Sequence, residues 1–185
     1  ALSRTEQDAL LARLADGTLS GAEKTKALDV QQIRNIAEIV QRTRPDVFLL
    51  NEFDNDGKGS DTTDLKAFND NYLAHAQHDE VKAISYPVLQ NFATNTGLMS
   101  GHDLNLDGKR NNGPDDAWGF GNYHGQYAFA VMSKYPIDTK GIRTFQHFKW
   151  KDMPGETNPV IDDCNNPRAP IPAGRQCGEP WYDAS

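Results

Sequence analysis

The run DVQQIRNIAEIVQRTRPDVFLL, residues 29–50, narrows the possible folds more than any other part of the chain. Ile33, Ile36, Ala37 and Val40 recur at helical spacing, Asp29 is placed to cap with Gln32 reaching back, and Pro45 forbids continuation. VFLL follows directly after Asp46 as a near-continuous apolar strand, a kind usually buried on both faces. Helix, break and strand read as the second half of a βαβ unit, so the expected sheet has layers above and below it. The strand then runs straight into the acidic cluster NEFDNDG, which a purely structural strand end does not require.

Elsewhere the pattern is simpler. TEQDALLARLADG predicts a helix over 5–16, with Thr5 and Asp8 spaced like a capping box and Gly17 as the stop. TTDLKAFNDNYL predicts a short helix over 62–73, and residues 91–125, rich in Gly, Asn and Asp, read as a long loop. QYAFAVMSKYPI predicts a core strand ended by Tyr135-Pro136, with GIRTFQHFKW as its antiparallel neighbour. From about 153 to 185 the chain reads as a Pro-rich loop. A chain that opens on a helix and closes on such a loop gives the strand after Pro45 no partner for its crossover, so both edges of the domain look cut.

Charge and cysteine usage limit the function classes. The 26 Asp and Glu against 19 Lys and Arg give a net charge of −7, which repels phosphate backbones unless a basic patch or bound cations reverse the field. Duplex nucleic acid is therefore a disfavoured partner, though not an excluded one. No apolar run approaches the length of a membrane span. Cys164 and Cys177 are placed to brace the Pro-rich loop as a disulfide, since the further ligands of a Cys-based zinc site are lacking at usable spacing. That pairing suits an extracellular or periplasmic protein, present here in mature form because no signal peptide is visible.

HDLNLDGKRNNGPDD contains the D-x-N-x-D-G pattern at Asp103, Asn105, Asp107 and Gly108, whose oxygens can converge on Ca²⁺. Pro114 stands where a bidentate Glu belongs, so Asp115 or Asp116 would have to close the loop. A structural calcium loop and a metal-free cluster of Asx turns are equally compatible with this stretch. Asn95 and Tyr127 offer amide and phenol donors suited to phosphate oxygens, against the plainer roles of turn residue and core-edge aromatic.

The order of RNIAEIVQRTRPDVFLLNEFD, ATNTGLMSGHDLNLDG, GFGNYHGQYAFAVMSKYPI and RTFQHFKWKDMPG resembles the endonuclease/exonuclease/phosphatase superfamily, in particular its exported bacterial phosphatase- or phytase-like branch. The resemblance spans nearly the whole chain; Ser133-Lys134 stands where relatives usually have Ser-Arg. It implies an α/β, four-layered αββα sandwich of the DNase I-like kind, incomplete here, with residues 1–185 as the N-terminal portion of one domain. It also implies metal-dependent phosphoester hydrolysis with Mg²⁺ or another divalent cation, and it makes Glu52 the metal-binding glutamate. The family's upstream Asn, its phosphate-contacting His, its central Asp and Asn and its closing Asp-His pair have no counterpart in this chain. His75, His78, His102, His124 and His147 lie in none of the matching motifs.

On that reading the chain is inactive alone, needs the remaining C-terminal part of the domain as its partner, and acts on small phosphoesters. Two other classes remain open from sequence: a non-catalytic calcium-binding module, and a degenerate family member used for binding.

Overall fold

The computed structural model describes residues 2–105, 107–155, 160, 164–165, 171 and 176–179. Helix α1, Arg4–Ala15, starts on a capping box between Ser3 and Glu6 rather than between Thr5 and Asp8. Asp8 is instead occupied by Arg34 and Arg4, a tie between α1 and the next helix. That helix, α2, spans Gly21–Thr43 and so begins a full two turns before the expected cap at Asp29. The preceding GAEKTKAL is rich in strong helix formers, and intrinsic propensity extends the helix upstream with no side-chain cap on Ser20.

Arg44 ends α2 in the left-handed conformation, and its guanidinium reaches the carbonyls of Lys82 and Ala83. The Pro45 carbonyl accepts from the Tyr86 hydroxyl at 2.7 Å. Asp46 accepts twice from Lys134, once at the backbone and once at the carboxylate, each at 2.9 Å. The Asp46–Lys134 contacts bring together Arg44-Pro45-Asp46 and Ser133-Lys134, two stretches that stand far apart in the sequence. Strand β1, Val47–Asn51, then pairs antiparallel with β3, Phe129–Ser133, in the register Phe48↔Met132 and Leu50↔Ala130.

The sheet differs from expectation in three ways. Its order is β1-β3-β2, with β2 at Val88–Asn91 as the second antiparallel neighbour of β3. Residues 141–149 form no strand. β2 is short and follows Pro87, which removes the alternation that would have marked it. Among the described residues every strand pairing within this sheet is antiparallel, and β1 lies at its edge. Finally, β1 is covered on one face only: Phe48 and Leu50 point into the core, whereas Val47 and Leu49 are 55% and 52% exposed. Phe129 shares their face and is also exposed.

The core lies between the inward face of the sheet and the helices. It joins Ala37 and Val40 of α2, Leu65 and Phe68 of α3 (Thr63–Phe68), Tyr72 and Leu73 of the π turn that continues it (Asn69–Leu73), and Ala130 and Met132 of β3. This is a mixed helix and antiparallel-sheet architecture consistent with the DNase I-like expectation, and the described residues supply one helical layer and one sheet of it. Residues 92–125 form the expected long loop, with a 3₁₀ turn at Pro114–Asp116. Most of the Pro-rich stretch lies outside the described residues.

Gln41 is the polar keystone of the helical layer. Fully buried, it donates to the carbonyls of Leu73 and His75 and accepts from the Gln77 amide. Gln41→Leu removes all three bonds; the Leu73 and His75 carbonyls keep donors in the Ile84 amide and the Gln77 side chain while the Gln77 amide loses its acceptor, so the variant should lower unfolding stability by about 1–3 kcal/mol in urea denaturation. A loss below half that range would mean that water replaces the side chain.

Candidate active site

Glu52 follows the last residue of β1 with its side chain exposed. Its φ of 54° lies in the left-handed region, as does the φ of 57° at Tyr127 on the opposing segment. Such a backbone costs a residue with a β-carbon roughly 1–2 kcal/mol, and paired instances cluster where geometry serves a site. Beyond the kink the two segments stay joined, Phe53 donating to the Ala128 carbonyl and Asn55 to the Gly125 carbonyl. Asp54 spans the same gap with its side chain, accepting from the Tyr127 amide at 2.9 Å and from the Tyr123 hydroxyl. That carboxylate holds the Tyr123 hydroxyl above the ordinary phenol range, the hydrogen bond being the main cause.

Asp54 also lines an open cleft of about 400 Å³ together with Asn55, Asp56, Asp61, Asp64 and Tyr123. The Ser60 hydroxyl on Asp56 and the Thr63 side chain on Asp61 keep both carboxyls below their usual range, so they are charged at neutral pH. Among the described residues no Lys or Arg lines the cleft. A phosphate entering it meets like charge, and only a bound cation can reverse that field.

The loops around the cleft approach closely enough to require glycine. A β-carbon on Gly57 would lie 2.4 Å from the His124 ring, and one on Gly97 would lie 1.9 Å from the Tyr123 carbonyl oxygen. His124 itself bonds the Thr94 carbonyl through Nε2 and acts as a packing residue. Of the two phosphate-binding candidates, Tyr127 lies on the segment that leads into β3 beside Glu52, and Asn95 lies on the loop whose Thr94 and Thr96 bond Gly57 and Gly125. The Asn95 amide donates to the Gln146 carbonyl at 2.8 Å and fastens the long loop. Asp54 and Tyr123 were missed from sequence. Asp54 carried the signal of a carboxylate in the cluster just after the strand, but its partner Tyr123 is 69 residues away.

The D-x-N-x-D-G stretch forms a second, separate cluster. Asp103 accepts from the amides of Asp107 and Gly108, Asn105 also accepts from the Asp107 amide, and Asp107 accepts from the Lys109 amide and the Asn112 side chain. The buried closing carboxylate is Asp116, which accepts from the amides of Leu104 and Asn112 at 2.8 and 2.7 Å, while Asp115 is exposed on the adjacent turn. These are Asx turns, and among the described residues no group of three or more His, Cys, Asp or Glu side chains has metal-holding geometry.

The Asn112 amide chiefly holds the Asp116 carboxyl below its usual range. A carboxyl depressed in the folded state stabilises it above the unfolded pKa of about 4, and this stabilisation is lost as pH falls through the folded value. Melting temperature should therefore drop on acidification below about pH 4, and Asp116→Asn should flatten that dependence while lowering the plateau at pH 7. A mutant profile parallel to wild type would remove Asp116 from the acid response. Farther along, Cys164 and Cys177 are joined as a disulfide with their Cα atoms 5.5 Å apart.

Comparison with known proteins gives one family result: a model of the endonuclease/exonuclease/phosphatase family matches residues 17–184. No curated protein and no solved structure matches the chain.

Proposed function

From a chain that belongs to the endonuclease/exonuclease/phosphatase family, whose members are typically phosphoester hydrolases and generally use divalent cations such as Mg²⁺, we propose a metal-dependent hydrolase of small phosphoesters with Glu52 as the cation's carboxylate. The observation that carries this reading is the position of Glu52 at the kinked end of β1, two residues before Asp54, which with Asp56, Asp61 and Asp64 lines the acidic cleft. Mg²⁺ is commonly held by only one or two carboxylates, with waters and substrate phosphate completing its shell, so a single exposed Glu fits. A cation bound there neutralises charge on the phosphoryl oxygens. Glu52 would hold and orient it from the end of a rigid strand, and the carboxylates of the cleft that begins at Asp54 disfavour substrates that bring high negative charge without a cation.

Phosphorylated sugars, inositol phosphates and phosphodiester head groups suit this acidic cleft better than duplex nucleic acid. A lone carboxylate cannot also position water and protonate the leaving group, so on this reading the site needs a further part of the domain, and the exposed Val47, Leu49 and Phe129 are the apolar surface such a part would cover. The disulfide favours an extracellular or periplasmic location. The test is hydrolysis of generic aryl phosphates with and without chelator: the completed domain turns over only with Mg²⁺ or a similar ion, and residues 1–185 alone turn over nothing. Full activity of the isolated chain would overturn both the completion and the role of Glu52.

A further inference from the structure

Two side-chain-bearing residues on the adjoining segments that leave the β1–β3 ladder lie in the left-handed region, Glu52 at 54° and Tyr127 at 57°. Neither is glycine, so the conformation persists only because its surroundings over-determine it. The backbone bonds from Phe53 to Ala128 and from Asn55 to Gly125 hold the chain beyond the kink, but they leave the Tyr127 amide without a ladder partner. That amide is taken by one oxygen of Asp54, while the other oxygen of the same carboxylate takes the Tyr123 hydroxyl. Asp54 thus reaches from one left-handed residue's strand to the other and is fastened at both oxygens.

We propose that Asp54 is the positioning residue of the Glu52 site: by clamping the Tyr127 amide and the Tyr123 hydroxyl it locks the paired left-handed turn and fixes the direction in which the Glu52 carboxylate leaves the sheet. The proposal rests on the reading of Glu52 as the cation's carboxylate. It assigns Asp54 a role exerted through Glu52, with both its oxygens committed to protein donors. An Asn at this position keeps one acceptor for the Tyr127 amide, whereas Ala keeps none.

The experiment compares wild type, Asp54→Ala, Asp54→Asn, Glu52→Gln and the Asp54→Ala/Glu52→Gln double variant, all in the full chain. One readout is conformational: backbone chemical shifts of Glu52 and Tyr127 and hydrogen exchange of the Tyr127 amide, without metal. The other is affinity for Mn²⁺ followed by paramagnetic relaxation. Asp54→Ala should lose the left-handed shifts at both residues, speed exchange at Tyr127 and weaken Mn²⁺ binding about tenfold, with Asp54→Asn retaining most of each. In the Glu52→Gln background Asp54→Ala should weaken Mn²⁺ binding no further.

Unchanged shifts and exchange in Asp54→Ala would overturn the clamp. An equal affinity loss with and without Glu52 would make Asp54 an independent ligand and overturn its positioning role. Equal Mn²⁺ binding by wild type and Glu52→Gln, with the left-handed shifts still lost in Asp54→Ala, would instead overturn the Glu52 reading while leaving the clamp standing. Should Asp54→Ala not fold, Tyr123→Phe removes one donor from a half-exposed position and should give smaller changes in the same directions; their absence would count against the clamp.

Discussion

Glu52→Gln is expected to lower Mg²⁺-dependent phosphoester turnover in the completed domain by about tenfold or more, while leaving the melting temperature where it was. The substitution keeps the side chain's size and removes only its charge, and the side chain is exposed at the strand end, so packing loses nothing. Glu52→Gly sharpens the comparison. Glycine adopts the left-handed backbone without penalty, so this variant should match or exceed wild-type stability, by up to about 1 kcal/mol, and still lose turnover. Steady-state kinetics over a range of Mg²⁺ concentrations, set beside thermal melts, decide the matter. Unchanged turnover in both variants would remove Glu52 from the mechanism. A stability loss in the Gly variant would show that Glu52 holds structure as well as charge.

The second large effect is structural. Gly97→Ala should destabilise the protein by about 3 kcal/mol or more, because the new β-carbon meets backbone rather than a side chain that can swing aside. It would lie 1.9 Å from the Tyr123 carbonyl oxygen and 2.3 Å from the carbonyl carbon, on a residue whose φ of +69° already disfavours alanine. The strain would be relieved by moving Tyr123, and Tyr123 is one of the two donors on Asp54. Urea denaturation should therefore show the loss, and faster exchange of the Tyr127 amide should accompany it. A variant within about 1 kcal/mol of wild type would mean that the loops around residues 97 and 123 are free to separate.

Local chemistry was sufficient for some of this protein. The α2–Pro45–β1 succession was readable because apolar spacing and a proline break are properties of neighbouring residues, and the same holds for the strand at Phe129–Ser133 and the helix beginning near residue 62. Glu52 could be singled out as a candidate because a strand running into carboxylates coincides there with the residues that carry the family resemblance. Cap choice at Ser3 and the early start of α2 were less legible, since several polar residues compete for a cap and the winner depends on where the helix docks.

What residues 29–50 determined alone was a helix, a stop and an apolar strand, because periodicity and the ring of Pro45 act within a few residues. Only the tertiary structure decided that β1 pairs with β3 in antiparallel register and takes β2 as the far neighbour, because those hydrogen bonds close between segments whose separation leaves no local trace. The tertiary structure likewise decided that Asp116 rather than Asp115 closes the turn cluster, and that Asp54 meets Tyr123 and Tyr127 across the kink at Glu52. A carboxylate's role is set by the donors that reach it, and here those donors arrive from distant parts of the chain.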